Sequence, residues 1–285
     1  MIIERTLLPA PPGDKGDTGR VSLDPDRVER ALRARTALGR IAVVDRTGST
    51  SADLVAAASD PAWPDRSLVV TDHQTQGRGR AGRTWETPPG TALTASILLR
   101  PEVPTARFGW LPLLGGLAVV RALATAGVSA AVKWPNDVLL RAGGPALPGW
   151  GVWRKVAGLL GDLVPGAVVI GIGVNVAQTS LPVPHATSLL RAGFDVDRTD
   201  LLVEVVAELV ALDERWRAAD GDAVEAGLAE ECAEVCVTIG ARVRVDQPGG
   251  VLLGTAAGLS DDGALLVVDD AGREHVVLAG DAHLR

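Results

Sequence analysis

The chain has 285 residues, with 28 basic and 35 acidic side chains and a formal net charge of −7. Its hydrophobic fraction of 47% is ordinary for a soluble globular protein, and the acidic balance argues against a dedicated nucleic-acid-binding protein. The longest apolar stretches fall short of the roughly 20 residues that a membrane helix needs, and the N-terminus lacks the pattern of a secretory signal. We therefore expect a soluble, cytoplasmic protein with no nucleic-acid or membrane partner.

The chain order predicts a tail, a large α+β domain and a small β domain. Residues 1–24 are rich in Pro, Gly and Asp without periodicity, which is typical of a mobile tail. A polar amphipathic helix is expected from Pro25 to about Leu38. Apolar runs bounded by turn residues predict strands at Ile41–Asp45, Leu68–Val70, Thr91–Leu99, Ala131–Lys133, Val138–Leu140, Val156–Leu163 and Ala167–Val176. Further helices are predicted at Gly109–Ala126, Leu201–Ala219 and Ala223–Val235, and one that Ser51 or a neighbour caps should end near Ala58.

The pattern changes from Gly240 onward. Alternation of period two with Gly-rich turns every ten residues or so predicts a small antiparallel barrel. Its expected strands are Arg242–Val245, Val251–Gly258, Ala264–Val268 and His275–Leu278. The predicted domains are therefore 25–237 and 238–285.

Lysine is rare in this chain. Only Lys15, Lys133 and Lys155 are present, and the other 25 basic residues are arginines. Because lysine is a compact point charge and arginine a rigid fork, a lysine inside a folded element marks a place where arginine does not serve. Survival of these lysines by accident is the competing interpretation.

The segment from Gln74 to Trp85, QTQGRGRAGRTW, places three glycines among arginines. Glycine lets the backbone approach a ligand closely, and the arginines offer forked donors that suit phosphate and carboxylate. An anion-binding loop is favoured over a solvated loop or an RNA-binding run, because the segment lies between two strands of an apolar domain. We expect it to be mobile when no ligand is bound.

Three later segments are candidates for the same site. In KWPND (133–137) Trp134 could equally be core filler in an ordinary turn. In KVAGLLGD (155–162) the lysine at the strand start could neutralise a reacting carboxylate and phosphate, or be an exposed edge residue. VIGIGVNV (169–176) lacks the third glycine of a dinucleotide fingerprint, and its Asn175 must find partners in the protein or in a ligand.

In their order, GRGRxGRxW, KWPND, KxAGxL and GxGxN resemble the bacterial biotin protein ligases, also called biotin–[acetyl-CoA-carboxylase] ligases, over about Ile41–Leu190. The resemblance implies a mixed-sheet catalytic domain of the biotin/lipoate ligase, class II synthetase-like type, followed by a small SH3-like β-barrel. It implies that biotin and ATP form biotinyl-5′-AMP, and that a lysine of a biotin carboxyl carrier domain then takes the biotin. ATP, Mg²⁺ and biotin are the expected ligands, with no tightly bound prosthetic group.

The resemblance also implies roles for individual residues. The expected catalytic residues are Lys155, Arg78 and Asp137. Biotin is expected to contact Ser49, Thr50, Ser51, Gln74, Arg78, Gly79, Arg80, Lys155 and Gly158. The nucleotide is expected to contact Arg80, Arg83, Trp85, Asn136, Asp137 and Asn175. No protein-bound metal is predicted, since ATP would carry the Mg²⁺ to a place near Asp137, which we also expect to orient or deprotonate the acceptor lysine.

The sequence departs from the family pattern at three places. Ser51 stands where the family usually has Asn, and Asp162 where it has Glu. The connection Arg141–Arg154 is longer than expected and carries two tryptophans. We expect an ordinary loop with partly buried indoles rather than a flap against the site or the carrier domain. Because about forty residues with one predicted helix precede Ile41, we also expect no helix-turn-helix and no repressor activity.

Three other functions stay open at this point. A lipoate ligase would share the fold and the adenylate chemistry, and a catalytically inactive biotin or nucleotide sensor, or an RNA-binding loop on a scaffold, would need neither step. Cys232 and Cys236, one helical turn apart, are expected to be small buried hydrophobes rather than metal ligands.

Overall fold

The computed structural model describes residues 22–247 and 250–285, and a seven-stranded sheet is its centre. In chain order the strands are β1 (Ile41–Thr47), β2 (Ser67–Gln74), β3 (Ala92–Leu99), β4 (Ala130–Lys133), β5 (Asp137–Arg141), β6 (Trp153–Val164) and β7 (Ala167–Asn175). They lie in the order β1-β2-β3-β7-β6-β5-β4. The pair β1–β2 is parallel and the other neighbours are antiparallel. The predicted mixed sheet is confirmed.

Helices cover both faces of this sheet. They are α1 (Pro25–Arg35), α2 (Thr50–Ala57), α3 (Trp110–Thr125), α4 (Arg198–Ala218) and α5 (Leu228–Val235). From α2, Leu54 packs in one apolar cluster with Leu98 and Val169, whereas their strand neighbours Ile97 and Ile170 belong to the main core with α3 and α4. Because successive strand residues point to opposite faces, this alternation shows three layers.

The helix α3 is apolar on all sides because sheet, α4 and α5 surround it. The stretch Thr105–Thr125 is long and apolar enough to cross a membrane by length and composition alone, contrary to the expectation that no such stretch exists. Of its most apolar window, 72% is buried inside the protein, which is the pattern of a core helix.

The C-terminal residues form a second, smaller sheet. Its antiparallel strands are β8 (Arg242–Gln247), β9 (Gly250–Leu259), β10 (Leu265–Val268), β11 (Glu274–Val277) and β12 (Asp281–Leu284). They lie in the order β11-β10-β9-β8-β12. The small β domain is therefore confirmed, whereas its closure into a barrel and the domain boundary at 237/238 stay predictions.

The two sheets share one core. Val243 and Val245 of β8 belong to the same apolar cluster as α3. The indole nitrogens of Trp110 and Trp134 donate to the carbonyls of Asp261 (2.9 Å) and Gly263 (3.1 Å). Trp134 is thus buried core, as one of the two interpretations of KWPND had it.

Several predicted boundaries are wrong for local reasons. The helix α1 ends at Arg35 rather than Leu38, because Thr36 is extended. The last helix begins at Leu228 rather than Ala223, because Gly227 adopts a left-handed conformation (φ +69°). The cap of α2 is Ser49, in agreement with the prediction that Ser51 or a neighbour caps this helix.

The predicted tail and the C-terminus need corrections too. Residues 1–21 of the tail lie outside the described residues. Leu23 belongs to the core, and its backbone N–H donates to Asp72 Oδ2 (3.0 Å), so the tail prediction is wrong for residues 22–24. The strand β12 was not predicted, because Asp-Ala-His-Leu is too short and mixed to show a period.

The buried face of α3 gives a first prediction. Leu114 is fully buried, whereas Leu163 on β6 is 70% exposed. We expect Leu114→Ala to lower the free energy of unfolding by about 2–5 kcal/mol, since it leaves a cavity. Leu163→Ala, the matched control, should change it by less than about 0.5 kcal/mol. Urea unfolding at equilibrium measures both, and equal losses would contradict the assignment of α3 to the core.

Candidate active site

One cavity of about 740 Å³ collects the predicted site residues. All of them line it: Ser49, Thr50, Ser51, Gln74, Arg78, Gly79, Arg80, Arg83, Trp85, Asn136, Asp137, Lys155, Gly158 and Asn175. The structure thus brings together segments that are up to 126 positions apart in the sequence. Their individual roles toward a ligand stay predictions.

A single row of residues across the sheet forms the floor of this cavity. Lys133 of β4 is the register partner of Asp137 of β5, and Asp137 is the partner of Gly158 of β6. Gly158 in turn faces Gly173 of β7, and Gly173 faces Thr94 of β3. Sheet pairing therefore places an ammonium, a carboxylate and two residues without side chains side by side.

Buried hydroxyl groups form one end of the cavity. Thr50 donates its backbone N–H to Gln74 Oε1 (2.8 Å), and its hydroxyl lies 2.7 Å from that of Ser96. The Ser96 hydroxyl also lies 2.9 Å from that of Ser51, while Ser49 caps α2. Ser96 was missed in the sequence, since a serine in an apolar strand carries no distinct pattern. Because a hydroxyl can both donate and accept a hydrogen bond, these linked hydroxyls can reorient their protons to pair with the polar atoms of a ligand.

Next to the hydroxyls, the indole of Trp85 packs directly on β6 and β7 and forms an apolar wall of the cavity. A Cβ at Gly173 would come within 2.7 Å of that indole, and one at Gly158 within 3.4 Å. The two glycines therefore let the indole lie flat against the strands. Its buried Nε1 makes no hydrogen bond with any residue that the structure describes, so it is a donor available to a ligand.

The arginine-rich segment is folded back over the cavity. The backbone N–H of Trp85 donates to the carbonyl of Gly77 (2.9 Å), and a Cβ at Gly77 would clash with the Trp85 carbonyl oxygen. A short 3₁₀ turn follows at Arg80–Gly82, with Ala81 at φ +53°. The structure describes one closed conformation, and the mobility of the empty loop stays a prediction.

Each arginine of this segment has its own partner. Arg78 pairs with Asp162 (2.9 Å), which is the position where the sequence departs from the family's Glu. Arg83 forms an ion pair with Asp281 of the C-terminal sheet. Arg80 donates to Asn136 Oδ1 (3.2 Å), and burial lowers the pKa of its guanidinium. The segment is therefore fastened to both sheets.

Two lysines share the carboxylate of Asp137. Lys155 Nζ lies 2.5 Å from one of its oxygens and Lys133 Nζ 3.8 Å from the other. A Cβ at Gly158 would lie 3.0 Å from Lys155 Nζ, so this glycine makes room for the lysine. Burial lowers the pKa of Lys133, an effect that Asp137 opposes. Two ammonium groups against one carboxylate leave positive charge in excess at this point.

The two asparagines use their amides inside the protein. Asn136 donates from Nδ2 to the carbonyl of Leu159 (2.6 Å), and Asn175 donates to that of Thr187 (3.0 Å). Asn175 Oδ1 also accepts from Gln178 (2.9 Å). The question left open for Asn175 is thus answered within the chain, and the direct contact of both residues with a nucleotide stays a prediction.

Comparison with known proteins agrees with this geometry. Residues 43–177 match the biotin/lipoate A/B protein ligase family, and residues 238–285 match the biotin protein ligase C-terminal domain. A biotin–[acetyl-CoA-carboxylase] ligase of Mycobacterium tuberculosis is 39% identical over 94% of this chain and 100% of its own. The chain belongs to the biotin protein ligase family.

Two further relatives support this membership. The biotin–[acetyl-CoA-carboxylase] ligase of Paracoccus denitrificans is 32% identical over 82% of this chain and 96% of its own. The biotin protein ligase of Aquifex aeolicus, solved in complex with biotin and ATP, superposes with a TM-score of 0.71 at 27% identity, covering 86% of this chain and 98% of that one.

This family member also builds its cavity from residues that the sequence did not reveal. Trp150 of the connection Arg141–Arg154 lines the cavity and stacks on His185, with ring centroids 4.3 Å apart and an angle of 12°. The expectation that this connection is an ordinary loop is therefore wrong at Trp150. Asp281 and His283 reach the same cavity from β12. These contacts depend on tertiary packing, so no local sequence pattern predicts them.

The ligase cavity suits magnesium only together with a phosphate ligand. Among residues 22–247 and 250–285, no group of three or more His, Cys, Asp or Glu side chains could hold a metal ion. Both carboxylate oxygens of Asp137 already lie near lysines. Cys232 and Cys236 are buried and unpaired, and burial raises the pKa of Cys232 to about 12, as expected of structural cysteines.

The contact of the arginine segment with the C-terminal sheet gives a second prediction. Asp281→Asn removes the carboxylate that Arg83 faces, so the segment should open more often. We expect trypsin to cleave after Arg78, Arg80 or Arg83 about two to five times faster, because a partly exposed ion pair contributes up to about 1 kcal/mol.

The matched control is Asp270→Asn, which breaks an exposed ion pair with Arg242 in the same sheet. It should leave cleavage in the arginine segment unchanged. Equal acceleration in both variants would mean that the C-terminal sheet loosens as a whole and that Asp281 has no specific part in closure.

Proposed function

We propose that this chain is an ATP-dependent biotin ligase that acts in the cytoplasm on a biotin carboxyl carrier domain of acetyl-CoA carboxylase or a related carboxylase. In the first step a carboxylate oxygen of biotin attacks the α-phosphorus of ATP, and pyrophosphate leaves. In the second step a lysine amine of the carrier attacks the acyl carbon, AMP leaves, and the amine loses a proton. The observation that carries the proposal is one cavity that joins buried hydroxyls, the Trp85 indole and two lysines sharing a carboxylate.

The hydroxyl end and the indole wall support biotin as the first ligand. Biotin's ureido ring has one carbonyl and two N–H groups, which Thr50, Ser51 and Gln74 can pair, with Ser49 alongside. Its apolar valeryl chain suits the apolar wall that the Trp85 indole forms. The carboxylate would then end beside Lys155, with Arg78, Gly79 and Arg80 of the folded segment above it. This polar pocket suits a ureido ring better than the dithiolane ring of lipoate.

The cations support the chemistry of the first step. Two anions must meet when a carboxylate approaches a phosphate, and positive groups in a closed cavity oppose that repulsion most strongly. Lys155, Arg80 and Arg83 all line the cavity. When ATP arrives with Mg²⁺, this hard ion would bind phosphate oxygens and add positive charge there. Asn136 and Asn175 would then stabilise the walls of the cavity that face the nucleotide.

Asp137 supports the second step. Its carboxylate lies between Lys155 and Lys133, and because its two oxygens offer about four acceptor sites it can still accept a hydrogen bond from a third ammonium or amine. A carrier lysine entering the cavity must lose a proton before it attacks, and a carboxylate at that place both attracts the lysine and receives the proton. We assign this orientation and deprotonation to Asp137.

Substitution of Lys155 tests the first step. We expect Lys155→Met to lower biotin-dependent ATP–pyrophosphate exchange about 100- to 1000-fold, the range for removal of one well-placed charged donor. Lys155→Arg keeps the charge but places a wider group over Gly158, so exchange should fall here as well. The matched control is Arg273→Met on the exposed turn of the small sheet, which should exchange normally.

The same assay separates the competing functions. Exchange that biotin stimulates supports the proposal, whereas exchange that lipoate stimulates would make the protein a lipoate ligase. A wild-type protein that binds biotin but shows no exchange with either acid would be a sensor, and the proposal would fail.

Substitution of Asp137 tests the second step. Given preformed biotinyl-5′-AMP, Asp137→Asn should transfer biotin to a carrier domain at least about 10-fold more slowly in a single turnover, because general base contributions are about 10²–10⁴-fold. The defect should shrink as the pH rises and the acceptor amine loses its proton unaided. Transfer at the wild-type rate across the pH range would remove this role from Asp137.

A further inference from the structure

Of the two lysines in the described part of the chain, Lys133 is the one to which no function has been given so far. It ends β4, its side chain lines the cavity, and the residue is only 5% exposed. A buried ammonium is unfavourable unless charge or hydrogen bonds compensate for the lost water. The surroundings of the Lys133 ammonium therefore indicate which kind of ligand it binds.

The ammonium of Lys133 has no hydrogen-bond acceptor in the described part of the chain. Its nearest carboxylate oxygen, on Asp137, is 3.8 Å away, which is beyond hydrogen-bond distance. That carboxylate already receives the closer Lys155 at 2.5 Å. All three N–H donors of Lys133 thus remain available to a ligand in the cavity.

The other cations of the cavity differ in this respect. Arg78 and Arg83 each face a carboxylate, on Asp162 and Asp281. Arg80 donates to Asn136 and to the carbonyl of Gly280 (3.4 Å). A ligand that pairs with these groups must displace or share an existing partner, whereas a ligand that pairs with Lys133 displaces none.

The indole of Trp150 holds Lys133 without occupying its donors. Lys133 Nζ lies 4.8 Å from the centre of the ring, within the range of a cation–π contact. Trp150 is itself fixed by its stack on His185 and by a backbone hydrogen bond to Leu147 (3.0 Å). An aromatic face attracts the charge but accepts no directed hydrogen bond, so the N–H groups can turn toward the cavity.

We propose that Lys133 binds oxygens of the ATP triphosphate, and that Trp150 is a positioning residue that holds the Lys133 ammonium toward them. The proposal rests on the biotin ligase function proposed above. The triphosphate is the favoured anion because Lys155 already stands where the biotin carboxylate would end, and because Lys133 lies on the far side of Asp137 from Gly158 and the Trp85 indole. Burial, which lowers the pKa of Lys133, would be opposed by the arriving phosphate charge.

Steady-state exchange kinetics test the role of Lys133. We expect Lys133→Met to raise the KM for ATP about 10- to 100-fold, the range for loss of a hydrogen bond to a charged group. The dissociation constant for biotin alone, measured by calorimetry, should change less than twofold. A large rise in the biotin constant with an unchanged KM for ATP would assign Lys133 to the carboxylate and overturn the proposal.

A double-mutant cycle tests the role of Trp150. Trp150→Leu should raise the KM for ATP about 3- to 30-fold, as expected for a desolvated cation–π contact, whereas Trp150→Phe should recover most of the affinity. In a Lys133→Met background, Trp150→Leu should have no further effect, since the group it positions is gone. An equal effect in both backgrounds would show that Trp150 contacts the nucleotide directly and would overturn the positioning role.

A control variant and three further outcomes complete the test of Lys133 and Trp150. Trp63→Leu breaks a similar contact, with Arg40 4.6 Å from the Trp63 ring, but outside the cavity, and should leave both constants unchanged. If Lys133→Met fails to fold by circular dichroism, Lys133→Gln and the two Trp150 variants measure the same effect. Wild-type protein without biotin-dependent exchange refutes the ligase proposal, whereas normal exchange with an unchanged KM in Lys133→Met refutes only this inference.

Discussion

The cavity depends on keeping several positive charges close together in a partly dry space while no anion is bound. Charges at such distances repel strongly in a low dielectric, and each loses hydration on burial. Asp137 relieves the repulsion between Lys133 and Lys155, and separate carboxylates receive Arg78 and Arg83. These internal partners stabilise the cations before a substrate arrives, and an entering anion can share or replace them.

Strand pairing explains why the motif residues meet although they are distant in sequence. The turn of KWPND lets β4 and β5 pair as a hairpin, which sets Lys133 opposite Asp137. The next strands bring Gly158 and Gly173 into the same row, because antiparallel register fixes which residues face each other. A shift by one residue would turn every one of these groups to the other face of the sheet.

The strands and the motif residues of the cavity could be predicted because their information is local. Apolar runs marked the sheet, and the composition marked Lys133 and Lys155 in a chain that otherwise uses arginine. The features that the sequence did not predict are contacts between distant segments. Trp150 sits in a segment whose Gly and Pro indicate a loop, and its position at the cavity depends on the pairing of Gly149 with Leu284 of β12 and on its stack with His185. No periodicity in the sequence encodes such a contact.

The small sheet is part of the site rather than an appendage beside it. It supplies Asp281 to Arg83 and the carbonyl of Gly280 to Arg80, and it pairs with the segment that carries Trp150. The arginine segment and the indole that faces Lys133 are therefore both attached to the same C-terminal strand. Because these contacts share one strand, a displacement of the small sheet would loosen two walls of the cavity together. The geometry of the cations thus depends on how firmly the two sheets are packed, which the shared core and the indole hydrogen bonds of Trp110 and Trp134 provide.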